Sequence, residues 1–165
     1  MDITIEKYDL KLIDFESNTC KIELNPQKGI ALLKERRKLY IVYNDREVLY
    51  VGEAHTSIKT RFQRGCNAYN YYKKNNDKAR NGYKGYKWLD KVDNPQRCLK
   101  VEVVIFSEDY DHDKKRSFIE AIEGELVYLI RNEFGYWPKF QNEIHFSNCE
   151  GTKEIAERIL FTLFN

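Results

Sequence analysis

Between Leu39 and Gly52 two short runs of β-branched and aromatic residues, Leu39-Tyr40-Ile41-Val42-Tyr43 and Val48-Leu49-Tyr50-Val51, flank the polar tetrapeptide Asn44-Asp45-Arg46-Glu47. Apolar runs of this length across a polar turn specify a β-hairpin, and the rest of the chain has to pack around it. Gly52 closes the second run, and a helix from about Thr56 to Arg64 follows, with Thr56 or Ser57 as its N-cap. Leu99, Val101, Val103 and Ile105 alternate as a third strand. The most regular helical pattern runs from about Lys114 to Glu133, with Phe118, Ile122, Leu126, Leu129 and Ile130 on one face and Gly135 and Pro138 ending it. A last helix is predicted from about Thr152 to Phe164, with Ile155, Ile159 and Leu160 inward.

That order of elements predicts an α+β fold, a small three-stranded, mainly antiparallel sheet flanked by helices. Residues 1–36 read as an N-terminal extension. In it, alternating runs over Asp9–Phe15 and Cys20–Leu24 make a hairpin around Glu16-Ser17-Asn18-Thr19, and Asn25-Pro26 opens a short helix to about Arg36. With 165 residues and no repeat or Pro/Ser-rich linker, the chain is read as a single domain. Its core is 38–146, interrupted by an insertion at 65–97, and 147–165 holds the C-terminal helix. Hydrophobic residues are 42% and charged residues 33%, a globular balance. No apolar run approaches a membrane span and the first residues lack a leader pattern, so no membrane partner and a cytoplasmic location are expected. Cys20, Cys66, Cys98 and Cys149 lie far apart with no CxxC pair, which argues against a zinc ribbon or a disulfide framework. They are read as packing residues.

The total charge of +2 conceals an uneven distribution. From Thr56 to Lys91 there are ten basic residues, Lys59, Arg61, Arg64, Lys73, Lys74, Lys78, Arg80, Lys84, Lys87 and Lys91, opposed by Asp77 and Asp90, for a local +8. Phe62, Tyr69, Tyr71, Tyr72, Tyr83, Tyr86 and Trp88 are interleaved with them. Cations neutralise phosphates and aromatic rings contact bases and sugars, so this composition suits a nucleic acid. Within the segment, Cys66–Lys74 and Tyr83–Lys91 are two short helical candidates around a polar loop at Asn75–Gly82.

At these residues the chain resembles the GIY-YIG nucleases. Leu39-Tyr40, then Tyr50-Val51-Gly52, then Ile58-Lys59-Thr60-Arg61-Phe62 look like the family's core motifs. A glutamate in Ile122-Glu123-Gly124-Glu125 and an asparagine in Phe140-Gln141-Asn142 continue the pattern, and the match covers about Lys38 to Asn142. The resemblance implies a stand-alone, restriction-type endonuclease that hydrolyses DNA phosphodiesters with one divalent cation, Mg²⁺ or Mn²⁺, and no organic cofactor. Tyr40 and Tyr50 match the two motif tyrosines, Arg61 the helix arginine, Glu123 the metal-binding acid and Asn142 the late supporting amide. Tyr43 competes with Tyr40, and Arg64 with Arg61.

The chemistry asks for these groups. A carboxylate holds a hydrated cation, a guanidinium donates paired hydrogen bonds to phosphate, and a phenol takes a proton from water only if a cation lowers its pKa. Arg61 and Lys59 are the candidates for that cation. On a helical wheel Glu123 falls in the apolar arc with Ile119, Val127 and Ile130, where an uncompensated charge is costly, whereas Glu120 sits at its edge and Glu125 on the opposite flank near Phe118. Lys59, Arg64, Lys73, Lys74, Arg80, Lys84 and Lys87 are expected to hold phosphates of double-stranded DNA. Cutting both strands would require a homodimer or two successive nicks. Lys38-Leu39 stands where the family has Gly-Ile, and Gly65 where many members have His or Tyr, with His55, Tyr69, Tyr71 and Tyr72 as open substitutes. Both departures suit the alternative of a nucleic-acid-binding module without turnover.

Overall fold

The alternation in the first 25 residues forms two strands, β1 (Ile3–Ile13) and β2 (Lys21–Asn25), which pair antiparallel with Asp9 opposite Asn25. This computed structural model describes residues 2–13, 20–75, 87–90, 98–141, 144, 147 and 149–163. After β2 come α1 (Ile30–Leu33), β3 (Lys38–Tyr43), β4 (Val48–Ala54), α2 (Ile58–Asn75), α3 (Lys87–Asp90) and β5 (Cys98–Phe106), then α4 (Arg116–Phe134) and α5 (Thr152–Thr162). No described helix is long and apolar enough to cross a membrane.

The fold is α+β, but the sheet has five strands rather than three, in the order β2-β1-β5-β3-β4 and antiparallel throughout. The N-terminal hairpin is therefore part of the sheet and not an appendage. The reason lies in β5, which is buried at every position from Val101 to Phe106 and so needs neighbours on both edges. β3 satisfies one edge, and β1 satisfies the other from Ile3 opposite Phe106 to Lys11 opposite Cys98. Tyr8, Leu10 and Leu12 of β1 point into the core formed with α1, α2 and α3. The opposite face of the sheet packs on Ile119, Ile122, Leu126, Val127 and Ile130 of α4 and on Ile155 and Ile159 of α5.

Two helix boundaries differ from the sequence reading and one agrees. The helix expected from Pro26 is only the four residues of α1, because its start is fixed by a distant group. The Glu6 carboxylate accepts from the N–H groups of Ile30 and Ala31 at 2.8 and 2.9 Å. Next, α2 does not stop near Arg64. Cys66 and Tyr69 continue the buried stripe begun by Ile58 and Phe62, so the first eleven residues of the expected insertion are the second half of this 18-residue helix. Residues 76–86 and 91–97 lie outside the described residues. Finally, α4 ends as predicted at Gly135, whose φ of 78° is left-handed and whose N–H returns to the Arg131 carbonyl.

The C-terminal helix braces the core. Its last turn is tied to the sheet by Lys7 Nζ, which donates to the Thr162 carbonyl at 2.9 Å, and by the Thr162 hydroxyl, which donates to buried Glu102 on β5.

Candidate active site

The β3–β4 register sets Tyr40 opposite Gly52 and Val42 opposite Tyr50, so both tyrosines and the glycine share the face that α2 covers. Their ring centroids are 5.8 Å apart, and the edge of Phe62 lies 5.5 Å from Tyr40. Gly52 makes this possible. A Cβ there would lie 2.6 Å from Tyr50 Cε1 and 2.8 Å from Tyr40 Oη, closer than carbon atoms pack. Tyr43 does not compete for the position, because it is buried in the core on the other face of the sheet.

Arg61 arrives from α2. Ser57 caps that helix, its Oγ accepting from the Thr60 N–H at 3.1 Å, and thereby places Arg61 in the second turn. Arg61 Nε donates to Tyr40 Oη at 3.2 Å, with the guanidinium carbon 5.9 Å from the ring centre. Arg64, one turn on, is exposed. Lys59 lies on the opposite flank of α2, where with Ile22, Glu23 and Leu33 it lines a cavity of about 220 Å³ beside the N-terminal hairpin. It is therefore not a partner of the tyrosine pair.

The expected effect of the cation on Tyr40 is present but outweighed. Burial pushes this phenol's pKa well above its ordinary value, the charge of Tyr50 adds to the rise, and Arg61 only partly offsets them. Tyr40 is 1% exposed. It holds Arg61 in place and is unsuited to accept a proton, whereas Tyr50 is only half-buried.

Glu123 comes from α4, across β4 from the tyrosines, and both Tyr40 and Arg61 feel its charge. Burial, then the neighbouring Glu53 and Glu120 carboxylates, raise its pKa to about 8. Gln141 and Arg61 pull in the other direction without prevailing. Glu120 is itself paired with Arg116 at 2.8 Å. Among the described residues no cluster of three or more His, Cys, Asp or Glu forms, so a cation here would rest on one or two carboxylates and otherwise on water.

Sequence reasoning missed three residues around Glu123. Gln141 Oε1 accepts from the Val51 N–H at 3.1 Å while its Nε2 donates to Glu123 Oε1 at 3.5 Å, linking the edge strand to the acid. The neighbouring Asn142 lies outside the described residues. The segment that carries Gln141 runs along β4, with Phe140 N–H bonded to the Leu49 carbonyl at 2.9 Å, which is why residue 141 reaches the site. Glu53, opposite Leu39, is the second acid, and buried Arg37 holds it at 2.6 Å. A single acid in the otherwise apolar run of β4 was the available signal for Glu53. For Gln141 no local signal existed.

Lys38 also proves structural. It is fully buried, and its Nζ donates to the carbonyls of Thr56 at 2.9 Å and of Lys34 and His55 at 3.3 Å. Burial lowers its pKa to about 8, with Asp111 and Glu53 opposing the shift. The departure from Gly-Ile thus clamps the β4–α2 connection that delivers Arg61.

Of the other expected phosphate contacts, Lys73 and Lys74 are exposed near the end of α2, Lys73 with its Nζ 5.3 Å from the Tyr69 ring centre. Arg80 and Lys84 lie outside the described residues, as does the side chain of Lys87 in α3. Tyr69 is buried in the core and cannot replace the group missing at Gly65, whereas Tyr71 is 45% exposed. Comparison with family models, with curated proteins and with solved structures finds no match in any of the three.

Proposed function

We propose that this chain is an endonuclease that hydrolyses DNA phosphodiester bonds, with a divalent cation, Mg²⁺ or Mn²⁺, held at Glu123. The observation that carries the reading is the meeting of Tyr40, Tyr50 and Arg61 around Gly52, with Glu123 within electrostatic reach. These groups come from four elements, and they are the ones whose order along the chain resembles the nuclease motifs. Arg61, oriented by Tyr40, offers a guanidinium fork to the phosphate and stabilises the charge that builds there. Tyr50, the tyrosine with solvent access, takes the proton of the attacking water in its ionised, phenolate form. A bound cation supplies charge neutralisation for the phosphate and the leaving oxygen. The residues fit it, since a carboxylate opposed by burial and a second acid is ionised most readily beside a cation.

The test is incubation of supercoiled plasmid with the protein and MgCl₂. Nicked or linear product is the expected result. If the wild type and Glu123→Gln leave plasmid equally intact while both retard it on a gel, the chain is a binding module. The burial of Tyr40 favours that second reading. Arg61→Ala is expected to lower cleavage by about 10²-fold or more while gel retardation changes little, because Arg64, Lys73 and Lys74 still face solvent. Equal loss of both would count against the role given to Arg61.

Gln141→Ala is expected to reduce cleavage by about 10- to 100-fold, in line with loss of an outer-shell partner. Because Gln141 holds the Glu123 pKa down, the midpoint of the pH–rate profile should also move upward. A drop in rate with an unchanged profile would mean that Gln141 supports the fold only.

A further inference from the structure

Two cysteines read from the sequence as packing residues touch each other. Cys20, immediately before β2, and Cys66, in the middle of α2, are both buried and free, with their sulfurs 3.0 Å apart. Their backbones are held in register by Asn70, one helical turn beyond Cys66. Its Oδ1 accepts from the Cys20 N–H at 2.6 Å, and its Nδ2 donates to the Cys20 carbonyl at 3.3 Å. Reaching bonding distance needs about 1 Å of sulfur movement. Cys98 is exposed and Cys149 half-buried, so neither shares this environment.

We propose that Cys20 and Cys66 are a disulfide-forming pair that reacts with a low-molecular-weight disulfide and cross-links the N-terminal hairpin to the helix that carries Arg61. Either sulfur can be the donor in this contact, and the accepting cysteine, its thiolate stabilised by the other's thiol, is the first nucleophile. Its thiolate attacks one sulfur of the reagent disulfide, forming a mixed disulfide and releasing one thiolate. The donor thiol then loses its proton, attacks the sulfur of the first cysteine, and expels the second thiolate. The two cysteines give up two electrons and two protons, and the reagent is reduced to two thiols. Access to the buried pair is gained when the hairpin edge opens transiently.

The experiment exposes the folded chain to oxidised glutathione, alkylates the remaining thiols under denaturing conditions and maps the peptides by mass spectrometry. The expected product is a Cys20–Cys66 linked peptide, with Cys98 and Cys149 not joined to either and the link reversed by dithiothreitol. Oxidation should raise the melting temperature by about 10 °C, a rise absent in Cys20→Ser and Cys66→Ser. Four alkylated cysteines after prolonged exposure would overturn the proposal. So would a stable glutathione adduct at one of the pair with the other still reduced, or a link from Cys20 or Cys66 to Cys98 or Cys149. The peptide map of the wild-type chain decides even if a serine variant fails to fold. It is also independent of whether the chain cuts DNA.

Discussion

Glu123→Gln should abolish Mg²⁺-dependent plasmid cleavage, by about 10³-fold or more, and at the same time make the metal-free protein more stable at alkaline pH. The second half follows from linkage. The Glu123 pKa is raised from 4.5 to about 8, so the folded chain prefers the neutral acid. That preference stabilises the fold fully below the unfolded value and is lost as pH rises through the folded value. Over this window the loss is on the order of 3 to 5 kcal/mol. Glutamine keeps the shape without the titration. Its advantage in melting temperature should therefore widen by several degrees between pH 6 and pH 8.5. Added Mg²⁺ should narrow the gap by stabilising the wild type alone. Cleavage at limiting Mg²⁺ should rise about tenfold per pH unit and level off near pH 8, because proton and cation compete for one carboxylate. Parallel melting curves at all pH values, or a flat pH–rate profile, would refute the assignment of Glu123.

Gly52→Ala should cost about 1 to 3 kcal/mol in stability and about 10²-fold in cleavage. The added methyl would meet Tyr50 Cε1 at 2.6 Å and Tyr40 Oη and Cζ at 2.8 and 2.9 Å. Tyr40 cannot give way, since Phe62 packs against its ring and Arg61 bonds its hydroxyl. The half-buried Tyr50 ring is displaced instead, and the phenol pair opens. A melting temperature falling by roughly 3 to 10 °C would register the clash. In a Tyr50→Ala background the stability penalty of Gly52→Ala should shrink, while cleavage stays lost. An alanine variant with wild-type melting and cleavage would show that the pair need not be close for the chemistry.

The extent to which the site was legible depended on the range of each interaction. Tyr40, Tyr50 and Gly52 were singled out by their resemblance to the GIY-YIG motifs, and only the β3–β4 register puts them on one face. Arg61 followed from the same resemblance, by its spacing after Tyr50. Gln141 and Arg37 could not be found this way. Gln141 acts only because the chain after α4 returns along β4, and Arg37 because the turns after β5 bring the Tyr110 carbonyl to its Nε at 3.0 Å. Lys59 failed for a related reason, since the flank of a helix that faces a site is set by what else packs on it. The reading of Gly65 as the start of an insertion underrated the buried stripe of Cys66 and Tyr69, which outweighs one helical glycine.

The amino-acid sequence alone determined the hairpin, the long helix with its glycine stop, the α+β class and the concentration of positive charge after Gly52, all of which are written in neighbouring residues. Tertiary structure decided the five-stranded sheet, because β5 needs a partner on each edge and only the fold reveals that β1 provides it. It also decided the ionisation of Tyr40 and Glu123. Composition can supply a phenol, an acid and a cation, but their pKa values depend on how much water is excluded and on which charges lie within a few ångströms, and those are properties of packing.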